Sequence, residues 1–448
     1  MKIQGQIQAQ VLPDRKISRR DLLKGGLSTV AALAMSDDLF GGAGSNVNPT
    51  VKYRIVPVGR VQRPIVIVWL EGGMSHLDTF CPIPTAPMGV RGPYETIQTS
   101  QPGIRISSML PRTARYLDKM VLMRNIQVSD PMSNHPTSTS YMFTGSSRTI
   151  GRDVGEEAVN ESYASSLGKH FGQNNLGYVA FSTKPGFKSF YPGMGHRDSL
   201  FIYQEELNHD NSGNHPYPSP FQGNIDRETL LRRSQLLQQV DNLGLNNNQT
   251  NRWDRNVENA HRVLNGNYHR AFDLTRVPDR LRDLYGKTSF GNAALIAKRM
   301  VDEGAPFTIV NNPGWDNHYK IKDDSTGSLN PGLDYKLPEF DKVISALFTD
   351  LGDRAVIAVG TEFGRTPRIN RDQGRDHWTR SGFLIIGGAG ITPKVFGEVG
   401  NNGSITGTDG IFMGELMMPT IARAAGYVFY EERGGVVSSE PLSHLPIF

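Results

Sequence analysis

With 448 residues the chain is long enough to bury a large core, and its 21% charged and 38% hydrophobic residues are ordinary for a globular protein. The net charge of +4 is no sign of nucleic-acid binding: Lys2, Arg15, Lys16, Arg19, Arg20 and Lys24, set against Asp14 and Asp21, place that whole excess in residues 1–34. The remaining body is close to neutral, so the electrostatic footprint of a nucleic-acid partner is missing. The single cysteine, Cys81, excludes an intramolecular disulfide and a multi-cysteine zinc cluster, so any metal must be held by His and carboxylates.

Ser18-Arg19-Arg20-Asp21-Leu22-Leu23-Lys24 precedes a mildly apolar stretch ending in Ala32-Leu33-Ala34. Paired arginines before a weak hydrophobic region match a twin-arginine export signal, assigned here to 1–34. The expected partner is the twin-arginine export machinery, and the expected destination is periplasmic or secreted. That route carries folded, often cofactor-loaded proteins, which raises the expectation of a bound metal. No run of about 18 or more apolar residues follows, so the mature chain is expected to lack a transmembrane segment. Residues 35–60 read as a flexible linker rich in Gly, Asn and Ser, and 61–448 as one α/β domain.

The first core element is the apolar run Ile65 to Leu70, which breaks at Glu71-Gly72-Gly73 and delivers His76 and Asp78. A His and an Asp two apart in a loop can converge on one ion, although His76 taken singly suits a structural hydrogen bond better. Leu110 to Leu117 has helical spacing, and Val121 to Met123 reads as a strand leading to His135. Pro136 to Gly145 carries the punctuation of a helix, and Thr137 to Ser140 at its start either offer an anion site or simply cap it. Residues 146–225 read as an irregular insertion or lid, whose His196, His209 and His215 lack ligand spacing, and 226–286 turn helical.

Asn292 to Glu303 is an amphipathic helix, followed by a strand at Phe307 to Val310 that opens into Asp316 and His318. A helix from Pro338 to Leu351 leads into the strand Ala355 to Val359, and past it come Glu362, Arg365, Arg375, Asp376 and His377. Phe383 to Ile386 is a further strand, and a helix from Met413 to Ala425 closes the fold. Strands alternating with helices point to a central, mostly parallel sheet whose carboxyl edge binds ligands. Imidazoles and carboxylates at successive strand ends suit zinc, manganese or iron better than calcium or magnesium. A divalent ion in such a site polarises an ester oxygen and activates water, while Arg365 or Arg375 matches a tetrahedral anion.

IVIVWLEGGMSHLDTF, PGIRISSMLPRTARYLDKMVLMRNI, HPTSTSYMFTG, GWDNH, EFGRTP and GRDHW, in that order over roughly 60 to 430, resemble a bacterial exported family known as domain of unknown function 1501. That family is similar to the alkaline phosphatase and sulfatase superfamily, which implies an α/β core and a two-metal site. Carried over by residue, the first-strand metal Asp falls on Gly72 and the nucleophile on His135. Glu362 stands for an Asp ligand, Phe363 for its neighbouring His, and Asp316, His318 and His377 match later ligands. The resemblance therefore implies an exported metal-dependent hydrolase of sulfate or phosphate esters that uses metal-activated water. Its substrate would be a small anionic ester or a sulfated or phosphorylated glycan. The expected metal residues are Asp316, His318, Glu362, Asp376, His377, His76 and Asp78, with His135 as ligand or acid/base, Thr137 as a substitute nucleophile and Arg365 as anion grip. The alternative is a catalytically inactive member serving as an exported binding or assembly protein.

Overall fold

Ile65–Trp69 is wholly buried, and its side chains divide between two cores: Val66 and Val68 on one side, Ile65, Ile67 and Trp69 on the other. Only a strand covered on both faces has this distribution, which explains its lack of polar alternation. In the computed structural model the described residues are 51–128, 133–145, 161–172, 178–182, 199–203, 268–323, 332–380, 382–388, 390–403, 405–406 and 412–445.

The elements that place the site are β1 (Val51–Pro57), β2 (Ile65–Trp69), β3 (Met120–Gln127), α1 (His135–Thr144), α2 (Tyr163–Gly172), β4 (Tyr178–Ser182) and β5 (Ser199–Tyr203). After them come α3 (Ser289–Asp302), β6 (Phe307–Asn311), α4 (Leu333–Leu351), β7 (Val356–Gly360) and β8 (Gly382–Gly388). The last are β9 (Lys394–Phe396), β10 (Phe412–Met413), α5 (Met417–Ala424) and β11 (Tyr427–Arg433). Among the described residues the main sheet has nine strands in the order β9-β3-β8-β7-β2-β6-β4-β5, with β10 paired to β3. β8 runs antiparallel to both its neighbours and the other pairings are parallel, so β7, β2, β6 and β3 all end at one edge.

One face carries α3 and α4, whose buried Leu295, Met300, Phe340 and Leu347 join Val66, Val310, Ile357 and Val359 in a single core. On the opposite face, residues of α1, α2 and α5 meet Trp69, Ile309 and Ala358. Each fully buried aliphatic side chain contributes about 1.5–3 kcal/mol, so the three central strands hold the sheet rigid behind the site. This is the mostly parallel, helix-flanked α/β fold expected from the sequence.

The structure differs from the sequence reading at three places. Val51–Pro57, inside the expected linker, is a strand paired antiparallel with β11, with Val51, Tyr53 and Ile55 buried and Lys52 and Arg54 exposed. The expected irregular insertion holds α2 and two strands of the main sheet. The expected helix at Leu110 to Leu117 is a 3-10 helix over Thr113–Lys119. The expected twin-arginine segment and His196, His209 and His215 lie outside the described residues. Among the described residues no helix is long and apolar enough to cross a membrane.

Candidate metal centre

The carboxyl edge of β7, β2 and β6 is held together by backbone before any side chain reaches the site. Leu70 N–H donates to Gly360 O, Asn312 N–H to Trp69 O, and Trp315 N–H to Glu71 O. Trp315 is fully buried with its ring against Phe340, and it anchors the loop that carries Asp316 and His318. From α4, the buried Lys336 donates to Asn312 Oδ1 at 2.6 Å and to Pro313 O at 2.7 Å, tying the same loop from behind; burial lowers its pKa to about 8. Gly72 has φ +118°, and a Cβ there would stand 2.6 Å from Asp316 N. A side chain at Gly72 is thus excluded by the backbone of the neighbouring loop.

His135 is the first residue of α1, placed by Asn134, whose Oδ1 accepts from Thr137 N–H at 3.0 Å. That bond takes up an amide of the helix start, and Gly145 closes the other end in the left-handed region. Capping therefore rests on Asn134, while Thr137 is buried within the helix. His377 lies on a short antiparallel pair, Gly364–Arg365 with His377–Trp378, in which Arg365 and His377 are direct partners.

Three imidazoles turn the same nitrogen toward one oxygen. Asp316 Oδ1 lies 3.3 Å from His135 Nε2, 3.0 Å from His318 Nε2 and 3.2 Å from His377 Nε2. Each Nδ1 faces an oxygen acceptor: Glu362 Oε1 at 2.6 Å for His135, Asp376 Oδ1 at 3.0 Å for His318, and Ser133 O at 2.6 Å for His377. A carbonyl or an ionised carboxylate only accepts, so each Nδ1 carries a proton, and with an ion bound each ring would be neutral and offer Nε2 to it. This is how protein orients metal-binding histidines.

Ligands of a zinc-sized ion at about 2.0–2.2 Å stand roughly 3.0–3.5 Å from one another, which is the spacing found around Asp316 Oδ1. His135 Nε2 is buried without a hydrogen-bond partner among the described residues. His135, Asp316 and His377 offer ligand atoms within 4.8 Å of one another. The donor set therefore fits a divalent transition ion.

Burial alone would depress His135, but the Asp316 and Glu362 carboxylates on either side of its ring prevail and raise its pKa to about 9. Burial likewise disfavours the Asp316 charge, and the neighbouring His135 and His377 rings together with the Arg365 guanidinium outweigh it, holding the carboxyl far below the usual range. Asp376 is lowered chiefly by its bond to His318. Without an ion, a proton on His135 takes the place of the cation.

Glu362 and Asp376 stand behind the imidazoles: Glu362 Oε1 also accepts from Gly72 N–H at 2.8 Å, and Asp376 Oδ1 from Asn370 Nδ2 at 3.1 Å. Arg365 is fully buried, donating through Nε to Gly73 O at 2.8 Å, through Nη1 to Arg375 O at 3.1 Å, and through Nη2 to Gly72 O and to Asp316 Oδ1, the latter at 2.5 Å. The Phe363 ring lies 5.0 Å from His135 and 4.7 Å from His377, an apolar wall.

The structure sets His76 and Asp78 in a separate group. Asp78 accepts from Arg375 Nε at 2.8 Å and from Ser75 Oγ at 2.5 Å. The His76 ring lies 6.0 Å from Trp378, and burial followed by Arg375 lowers its pKa to about 3. The contributors that sequence reasoning missed are the Gly72 amide, the Ser133 carbonyl and Asn370. Two of these act through backbone, which leaves no residue-type signal.

A crystal structure of a protein in the alkaline phosphatase superfamily from Vibrio parahaemolyticus is 12% identical, with 93% of this chain and 90% of that one covered and a TM-score of 0.40. The C-terminal periplasmic domain of EcEptC from Escherichia coli, in complex with Zn, is 9% identical over 86% and 87%, with a TM-score of 0.38. BT1596, a 2-O GAG sulfatase, is 11% identical over 82% and 71%, with a TM-score of 0.35. At such scores the reading of the site rests on its own geometry. A comparison with curated proteins gave no match. Over residues 62–429 the chain matches the family described as "Protein of unknown function (DUF1501)", and it belongs to that family.

Proposed function

We propose that this protein is an exported metal-dependent hydrolase of sulfate or phosphate esters that uses water as the nucleophile. One observation carries the reading: three histidines, each with Nδ1 tied to an oxygen acceptor, aim Nε2 at the same Asp316 oxygen. When bound, a divalent ion, zinc by this donor set with manganese or iron as substitutes, polarises an ester oxygen and acidifies water enough for attack near neutral pH. His135, His377 and Asp316 would hold it, with His318 Nε2 beside the Asp316 carboxylate at 3.0 Å. Glu362, Asp376 and the Ser133 carbonyl keep the three rings in the ligating tautomer, and Arg365 positions the Asp316 carboxylate.

Phe363 limits water on one side of the centre, which strengthens the electrostatics there. His135, with Glu362 behind it, is the group best placed to exchange a proton with a reacting oxygen when it is not ligating. The substrate class is a small anionic ester or a sulfated or phosphorylated glycan. Arg19 and Arg20 in the leader support twin-arginine export to the periplasm or beyond. A second reading, an inactive binding or assembly protein, draws on Arg365 and Arg375: both guanidiniums are buried against internal acceptors, so neither is open to grip an anion.

The test is elemental analysis of the purified protein beside a His318→Ala/His377→Ala variant, followed by a panel of sulfate and phosphate esters. Bound metal that is lost in the variant, together with hydrolysis of any ester class, bears the proposal out. Metal without turnover favours the binding protein, and absence of metal removes the hydrolase reading.

A further inference from the structure

We propose that the centre takes one divalent ion and excludes a second, because the Arg365 guanidinium is built into the site as a permanent cation beside Asp316. The inference rests on the metal reading above.

Paired catalytic ions stand about 3.5–4 Å apart, so a second ion would need a share of Asp316 or anionic ligands of its own. The Oδ1 share of Asp316 is taken. Arg365 Nη2 lies 2.5 Å from Oδ1, the same oxygen on which the three Nε2 atoms converge. The guanidinium cannot swing aside, because it is fully buried and its other bonds go to the carbonyls of Gly72, Gly73 and Arg375. Withdrawing it would leave buried carbonyls without donors, and an Arg does not lose its charge to make way.

Other carboxylates at this edge are engaged as well: Glu71 Oε2 accepts from Asn311 Nδ2 at 2.6 Å, and Asp376 Oδ1 faces His318 and Asn370. Glu362 Oε1 accepts from His135 and Gly72, and its Oε2 from Thr361 Oγ1 at 3.1 Å. Asp78 is neutralised by Arg375 in a wholly buried pair. At Gly72 there is no room even for a Cβ, and the side chain next to Glu362 is the Phe363 ring, which has no ligand atom.

Charge leads to the same result. With neutral imidazoles, three carboxylates (Asp316, Glu362, Asp376) and one guanidinium (Arg365) leave the cluster at −2, which a single divalent ion cancels. A second ion would leave two uncompensated positive charges in a partly buried site, against the rule that buried charge must be paired. The guanidinium therefore supplies the fixed positive charge that a second ion would otherwise bring, without needing to be loaded.

The experiment loads the full chain with excess Mn2+, and separately with Zn2+, and removes free ion by gel filtration. Metal is then counted against a His135→Ala/His377→Ala variant, and the Mn2+ electron paramagnetic resonance spectrum is recorded. Expected is one ion per chain more than the variant holds, with the spectrum of an isolated ion at every loading. Two ions lost together in the variant, or a spin-coupled signal at any loading, overturns the proposal and leaves the hydrolase reading standing. No ion lost in the variant overturns both.

Discussion

Glu362 Oε1 and His135 Nδ1 are 227 residues apart in the chain and 2.6 Å apart in the fold, and the same carboxylate oxygen accepts the Gly72 amide. One buried side chain at the end of β7 thus aligns the start of α1 and braces the turn after β2.

Replacing that carboxylate by an amide removes the charge and keeps the shape. Glu362→Gln is expected to lower metal affinity about 10–100-fold while the fold persists. Competition with a chromophoric chelator reads the affinity, and circular dichroism reads the fold. An unchanged affinity would mean that Glu362 does not orient His135.

Metal should change how stability depends on pH. In metal-free protein the pKa of His135 is about 9 against an ordinary 6.5, so its contribution is full below 6.5 and fades as pH rises through 9. Asp316 is shifted the other way: its contribution is present above its ordinary 3.8 and is lost only as pH falls through its much lower folded value. Chelator-treated protein should therefore melt lower at about pH 9 than at about pH 6. The melting gain produced by zinc should be larger at the higher pH, because ligands must shed protons to bind. Thermal unfolding with chelator and with zinc at both pH values checks the pair of trends.

Asp78 and Arg375 form a wholly buried ion pair away from the convergence of the imidazoles. Asp78→Asn strands the guanidinium and is expected to cost about 3–5 kcal/mol in urea unfolding, with metal stoichiometry retained in the folded fraction. Loss of metal from a variant of unchanged stability would instead make Asp78 a ligand.

Gly72→Ala puts a methyl group against the Asp316 amide in a backbone conformation that side chains rarely adopt. The expected result is destabilisation of about 1–3 kcal/mol together with weakened metal binding, since the loop carrying Asp316 must move. Chelator competition and urea unfolding on the same sample test both effects.

The core strands were legible because Ile65 to Leu70 and Ala355 to Val359 are continuous apolar runs and Phe307 to Val310 is apolar but for the β-branched Thr308, as a sheet covered on both faces requires. β1 was hidden by the Gly- and Asn-rich residues before it, although the alternation of Val51, Tyr53 and Ile55 with Lys52 and Arg54 carried its signal. β4 and β5, the last two strands at one end of the sheet, were hidden because they are short runs set among turn-forming residues. Arg365 read as an anion clamp because its chemistry suits one, and nothing local says that three backbone carbonyls and Asp316 already use its donors.

The sequence by itself determined the kind of chemistry available: one cysteine, no basic body, and His with Asp or Glu at the ends of buried strands, which leaves nitrogen and oxygen donors for a transition ion. Tertiary structure decided which of those donors meet. The parallel adjacency of β7, β2 and β6 brings Asp316, Glu362 and His377 to one edge, and α1 lowers His135 onto them. It also decided rank. Glu362 and Asp376 have the same carboxylate as Asp316, yet imidazoles stand between them and the centre, while Arg375 draws Asp78 elsewhere. Residue type sets what an atom can bind, but whether it faces the ion depends on what is interposed, and interposition is a matter of distance across the sheet rather than along the chain.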